Sequence, residues 1–185
     1  MTLVSLTNTV LSFAAVAGQA GILLLIGLLA FRRTRALERI GKSAVLVSFA
    51  VALVATLGSL LYSEVIGYEP CKLCWFQRIF MYPEVILLGV VLWKKNGAGI
   101  VDASAILSAI GAVIAGYHYL LQADIAPALP CSATGYLVSC SERFVMSFGY
   151  ITIPLMTFTA FVFITLLLVI SKIHEKSGKV ANIQR

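Results

Sequence analysis

Five apolar runs, each close to the length of a membrane crossing, alternate with short polar stretches along the 185 residues. They cover residues 10–31, 44–62, 75–93, 103–121 and 150–170. About 20 apolar residues in helical conformation cross the hydrocarbon core of a bilayer, so the pattern predicts five transmembrane helices and an all-α integral membrane protein. Between the runs lie a basic linker, "RRTRALERIGKS", a cysteine loop, "GYEPCKLC", a "KKNGAG" turn and a longer loop, "QADIAPALPCSATGYLVSCSERF". No repeat competes with this division and no polar stretch is long enough to fold separately, so residues 1–185 read as a single membrane domain with a tail over 171–185.

Composition agrees: 60% of the residues are hydrophobic and 12% charged, with a mean hydropathy of +0.97, far from the soluble range. Charge then orients the helices. Eleven of the fourteen basic residues fall on one side: Arg32, Arg33, Arg35, Arg39 and Lys42 after the first run, Lys94 and Lys95 after the third, and Lys172, Lys176, Lys179 and Arg185 in the tail. The positive-inside rule makes that side and the C-terminus cytoplasmic. The net charge of +6 is thereby a topology signal, and no nucleic-acid partner is expected. Residues 1–9 carry no charge, unlike the positive start of a signal peptide, so the first run is expected as a retained helix. Gln19 within it is expected to bond a neighbouring helix.

All four cysteines, Cys71, Cys74, Cys131 and Cys140, fall in the two loops opposite the basic side. Thiols outside the cytoplasm tend towards disulfides, and four cysteines allow three connectivities. Two inert bridges are one reading. A four-thiolate zinc site is another, disfavoured because the second pair is Cys-x8-Cys; no metal is expected. Redox activity is favoured by two features. Cys-x-x-Cys closes too small a loop to make an effective staple, but it is a spacing used by disulfides that open and close. Cys74 also precedes Trp75 at the start of the third run, where a helix N-terminus favours a thiolate. Arg78 lies one helical turn deeper on the same face, where a guanidinium needs an acceptor oxygen or an anion.

The segment "PCKLCWFQRIFMYP", Pro70 to Pro83, resembles the signature of the DsbB/BdbC membrane thiol-disulfide oxidoreductases, in which a Cys-x-x-Cys heads a transmembrane helix and an Arg follows four residues later. A second cysteine pair one hairpin later, with His118 thirteen residues before Cys131, extends the likeness over residues 44–170. The "CWFQRI" wording and the short second spacing are closer to the BdbC branch. The resemblance implies a four-helix bundle over 44–170, with 10–31 as an accessory N-terminal helix, in a bacterial cytoplasmic (inner) membrane. It implies a quinone, ubiquinone or menaquinone, as electron acceptor, and an extracytoplasmic thioredoxin-fold oxidase of the DsbA/BdbD kind as partner. Carried over by position, Cys71 and Cys74 match the pair beside the quinone, Cys74 the cysteine that contacts its ring, and Arg78 the arginine that orients it. Cys131 matches the cysteine attacked by the partner, and Cys140 the one that relays electrons to Cys71. His118 and Gln77 are expected beside the quinone.

Thiol chemistry accommodates that route. Exchange proceeds through a mixed disulfide, so a reduced partner hands two electrons to a Cys131–Cys140 bridge; Cys140 then attacks Cys71 and expels the Cys74 thiolate. Thiols at the edge of the bilayer make sense if their donors are aqueous and their acceptor lipid-soluble. Glu84 falls near the middle of the third run on the face of Gln77, and is expected to be protonated and bonded inside the bundle; a route for quinol protons is the minor alternative. Pro127 and Pro130 are expected to hold the approach to Cys131 extended, and Phe144 and Met146 to face lipid. A quinone reductase of the vitamin K epoxide type fits less well, because its active pair follows the loop cysteines. From a different class, a small transporter or assembly factor with purely structural bridges remains the alternative.

Overall fold

The computed structural model describes residues 3–31, 34–94, 97–127 and 139–183. Cys131 and Pro130, with the basic residues Arg32, Arg33, Lys95 and Arg185, lie outside the described residues. Among these residues five α-helices form: α1 (Leu3–Ala30), α2 (Thr34–Leu60), α3 (Lys72–Lys94), α4 (Ala98–Gln122) and α5 (Ile153–Ile183). Each contains a stretch long and apolar enough to cross a membrane. No strand occurs among the described residues; residues 147 and 151 form a single antiparallel bridge.

The helices overrun their apolar runs, because hydropathy marks where lipid ends and not where helical hydrogen bonding ends. α1 begins at Leu3 rather than Val10; the Thr7 and Thr9 hydroxyls turn back onto the carbonyls of Leu3 and Ser5. Most of the basic linker is the first part of α2, since Ala36, Leu37, Glu38 and Arg39 are good helix formers. In contrast, α5 starts at Ile153 rather than Tyr150. Phe148 (φ 53°) and Gly149 (φ 78°) turn the chain just before it, and Pro154 occupies the first turn, where its missing N–H has no consequence.

α2, α3, α4 and α5 form a ring in which α2 packs on α3, α3 on α4, α4 on α5 and α5 back on α2. This is a four-helix bundle. α1 is extra to it, leaning chiefly on α5 and only sparingly on α2. Asp102 at the start of α4 pairs with Lys172 late in α5 at 2.6 Å, which places the start of α4 and the end of α5 at one end of the bundle. The Cys-x-x-Cys lies at the other.

In lipid the apolar effect does not drive helices together, and close packing over small residues does much of that work. α4 shows how. Ser104, Ser108, Gly111, Ala112 and Ala115 are buried along one face, at the spacing that returns to the same side of a helix. A Cβ at Gly111 would clash with the tip of the Phe161 ring on α5, and Phe161 is itself fully buried. The same face continues through His118, Leu121 and Gln122, so the packing that joins α4 to the bundle also aims His118 inward. Deeper down, the fully buried Glu84 accepts a hydrogen bond from Ser108 at 2.9 Å. Both it and Gln77 reach α4, as their shared face requires.

Candidate functional site

α2 closes at the cysteine end with a π-helical turn, Leu61–Val65, the wide turn that tends to occur at functional places. Gly67, with φ 83°, then reverses the chain, a conformation that favours glycine. Cys71 immediately precedes α3 and its carbonyl accepts from the Trp75 N–H at 3.1 Å. Cys74 is therefore in the first turn of α3, as its spacing requires. The two thiols face each other at 3.3 Å, with Cys71 donating to Cys74. That hydrogen bond, followed by burial, pushes the Cys71 thiol up from 9.0 to about 12, so Cys71 holds its proton while Cys74 is the acceptor.

His118, only 1% exposed, stands beside the thiol pair, within 4.8 Å of both sulfurs. Its Nε2 lies 3.7 Å from the Cys71 sulfur and 3.0 Å from the Cys140 carbonyl oxygen; its Nδ1 lies 2.8 Å from Gln77 Nε2. The partners assign the tautomer: the Gln77 amide donates to Nδ1, and Nε2–H donates to the Cys140 carbonyl. His118 thus ties the second cysteine segment to the first. Cys140 is buried in the same cluster as Cys71, with Leu73 and Leu121.

Four further contacts hold that segment down. Gln122 Nε2 donates to the Glu142 carbonyl at 2.8 Å. Arg143 donates to the Gln122 carbonyl and to Asp124, placing a cation at the C-terminus of α4, where the helix dipole favours one. Phe144 stacks on Tyr68 at 4.9 Å, and Tyr68 on Tyr62 at 5.8 Å. Phe144 is therefore engaged against the Cys-x-x-Cys loop rather than turned to lipid, whereas Met146 is 52% exposed.

Arg78 does not extend to the surface. It is buried, donates through Nε to the Ser59 hydroxyl at 3.0 Å and through Nη2 to the Ser59 carbonyl at 3.1 Å, and lies over the Trp75 ring. Ser59 carried no signal in the sequence, being one serine in an apolar run. Arg78, Gln77 and Cys74 also line a cavity of 670 Å³, within the range of small-molecule sites. Its walls are otherwise mostly apolar, with Ser59, Tyr62, Tyr68, Glu69 and Tyr82 adding polar groups towards the cysteine end. A hydrophobic molecule with a polar, electron-accepting head matches that donor set. His118 does not line this cavity; it lines a small recess with Cys71, Gln122 and Glu142, and Cys74 belongs to both. Ligand atoms of Cys71, Cys74 and His118 lie within 4.8 Å of one another, close enough for a soft metal ion, but binding through Nε2 requires breaking the bond to Cys140.

A helical bundle spanning the membrane, with a thiol pair between a second cysteine segment and an apolar cavity, has the architecture of a membrane thiol-disulfide oxidoreductase. The profile described as "Disulfide bond formation protein DsbB" matches residues 41–171, and the chain belongs to that family. It is 40% identical over 125 residues to the "Probable disulfide formation protein C" of Bacillus cereus, covering 68% of this chain and 88% of that protein. It is 42% identical over 128 residues to the protein of the same name in Halalkalibacterium halodurans, covering 66% and 88%. Identity to the "SPbeta prophage-derived disulfide bond formation protein B" of Bacillus subtilis is 40% over 123 residues, covering 66% and 81%. No solved structure matches the chain significantly.

Proposed function

We propose that this protein reoxidises an extracytoplasmic thioredoxin-fold thiol oxidase and passes the two electrons to a membrane quinone. The observation that carries this reading is the position of Cys74. Among the described residues it is the one cysteine shared by the thiol cluster of Cys71, His118 and Cys140 and by the apolar cavity of Arg78 and Gln77. Electrons brought by exchange among sulfurs reach Cys74 last.

The steps follow from exchange chemistry. A reduced partner's thiolate attacks the Cys131–Cys140 disulfide at Cys131, and its second thiol resolves the mixed disulfide, leaving Cys131 and Cys140 reduced. The Cys140 thiolate attacks the sulfur of Cys71 in a Cys71–Cys74 disulfide, forming a Cys140–Cys71 bond and releasing Cys74 as thiolate. Cys131 then closes on Cys140 and returns Cys71 as a thiol. His118 holds the Cys140 backbone beside Cys71, and its Nε2 is near enough to move a proton at that sulfur. Arg78, fixed by Ser59, sets a positive charge at the cavity's polar end. A quinone bound there supplies a two-electron, two-proton acceptor that stays in the lipid phase. With the basic ends of the helices cytoplasmic, both cysteine segments face outward and meet the partner.

The test is anaerobic stopped-flow absorbance of purified protein with a reduced thioredoxin-fold oxidase and a soluble quinone analogue. Wild type reduces the quinone, Cys74→Ser abolishes reduction, and Arg78→Ala weakens it. Stable, folded protein with no quinone reduction by any such partner overturns the reading.

A further inference from the structure

Exchange is not the only chemistry open to the thiol pair and His118. In a tetrahedral zinc centre, with bonds of about 2.3 Å to sulfur and about 2.0–2.1 Å to nitrogen, two sulfurs stand about 3.8 Å apart and a sulfur and a nitrogen about 3.6 Å. Here the Cys71 sulfur lies 3.3 Å from the Cys74 sulfur and 3.7 Å from His118 Nε2, and the three ligand atoms all lie within 4.8 Å of one another. An ion between them needs the sulfurs to part by about 0.5 Å, which a small turn of the Cys74 side chain covers. All three residues line one recess of 20 Å³, enough for a single small occupant. Cys71 and His118 are 4% and 1% exposed, so two of the three ligands are already held inside the protein. The Cys-x8-Cys spacing of the second pair disfavours a four-thiolate centre, but the third ligand here comes from α4, 47 residues after Cys71.

We propose that the reduced Cys71–Cys74 pair and His118 bind a zinc ion, and that the zinc-held protein stands outside the redox cycle. Coordination through Nε2 moves the imidazole proton to Nδ1 and releases the Cys140 carbonyl. Gln77 accommodates the change: its amide, 2.8 Å from Nδ1, turns over and accepts through Oε1 where it otherwise donates through Nε2. A metal-bound histidine whose other nitrogen donates to an oxygen is the usual arrangement. The two thiols release their protons to solvent as they bind, and nothing is oxidised or reduced. Zinc has no redox chemistry of its own, and it occupies the thiolates that a disulfide would join, so the pair is oxidised only after the ion leaves. The inference needs the reduced thiols alone and does not rest on the quinone or the partner.

Binding is read without turnover, in the full chain carrying Cys131→Ser and Cys140→Ser so that the second pair takes no part. The protein is purified in detergent, reduced with a phosphine and desalted anaerobically. Cobalt(II) is the spectroscopic probe and zinc(II) the competitor. The expected result is one cobalt per chain, with thiolate-to-cobalt charge-transfer absorption and the visible bands of a tetrahedral ion, displaced by one equivalent of zinc. Zinc is also expected to protect Cys71 and Cys74 from iodoacetamide. Adding Cys71→Ser or Cys74→Ser abolishes one-to-one binding, and adding His118→Ala or His118→Gln weakens it by about tenfold or more, about 1.4 kcal/mol. His118→Gln keeps a side-chain donor for the Cys140 carbonyl but offers no ligating nitrogen, so it decides the matter if the alanine variant does not fold. Cobalt affinity unchanged in His118→Gln shows a metal held by the thiols alone and overturns the site. Folded, reduced protein without charge-transfer absorption overturns it equally, and either failure leaves the proposed electron route standing.

Discussion

At the scale of single residues, the site depends on hydrogen bonds that fix direction more than on bulk contact. Ser59 is the clearest instance. Its hydroxyl and carbonyl hold the Arg78 guanidinium in a two-point grip, and Ser59→Ala removes one point while leaving the carbonyl. Stability is expected to fall by about 1 kcal/mol, the net worth of one such bond, while on the proposed function quinone reduction falls several-fold through KM; thermal unfolding and steady-state kinetics separate the two. Cys71 gives a pH signature. Its folded pKa is raised to about 12, so this thiol's contribution to stability is fully present below pH 9 and is lost as pH rises through 12. In the reduced protein, alkylation of Cys71 by iodoacetamide is expected to keep accelerating towards pH 12, whereas in Cys74→Ala its midpoint moves down towards 9. The spacing of Cys71, Cys74 and Arg78 was legible from sequence because all three belong to one helix start. The Gln77–His118 bond joins residues 41 apart in the chain, and only the packing of α3 on α4 brings them together.

At the scale of elements, α4 carries both the closest packing and the inward histidine on one face. Gly111→Ala is expected to cost about 1–3 kcal/mol, the usual penalty of overpacking, since the buried Phe161 has nowhere to retreat. Adding Phe161→Leu is expected to recover part of that loss in thermal unfolding. The helix boundaries illustrate what hydropathy misses. Arg35 and Arg39 are polar yet helical, because a helix runs on past the lipid wherever its backbone bonds continue to be made.

At the scale of the whole molecule, the bundle has two chemically distinct ends. Arg35, Arg39, Lys42, Lys94 and Lys172 gather at one and the thiols at the other. Single cysteines placed in an otherwise cysteine-free chain test the orientation. Asp124→Cys is expected to react with a membrane-impermeant maleimide in intact cells, and Lys94→Cys only after permeabilisation. The opposite pattern reverses the orientation and removes an extracytoplasmic partner. The accessory helix belongs to this scale too. Its place against α5, and its near-separation from α2, create a cavity wall that nothing within residues 3–30 announces.

Five helices, their alternation across the membrane and a cysteine pair at a helix start are written in local patterns: length, hydropathy and i, i+4 spacing act within a few turns of one segment. The sequence alone therefore determined the fold class and the placement of the thiol pair at the start of α3. Which side of Cys71 His118 occupies, what holds Arg78, where Phe144 turns and how α1 walls the cavity depend on groups far apart in sequence. Those were decided by tertiary structure, because a buried polar group takes whichever partner packing brings within about 3 Å, and chain separation carries no record of that choice.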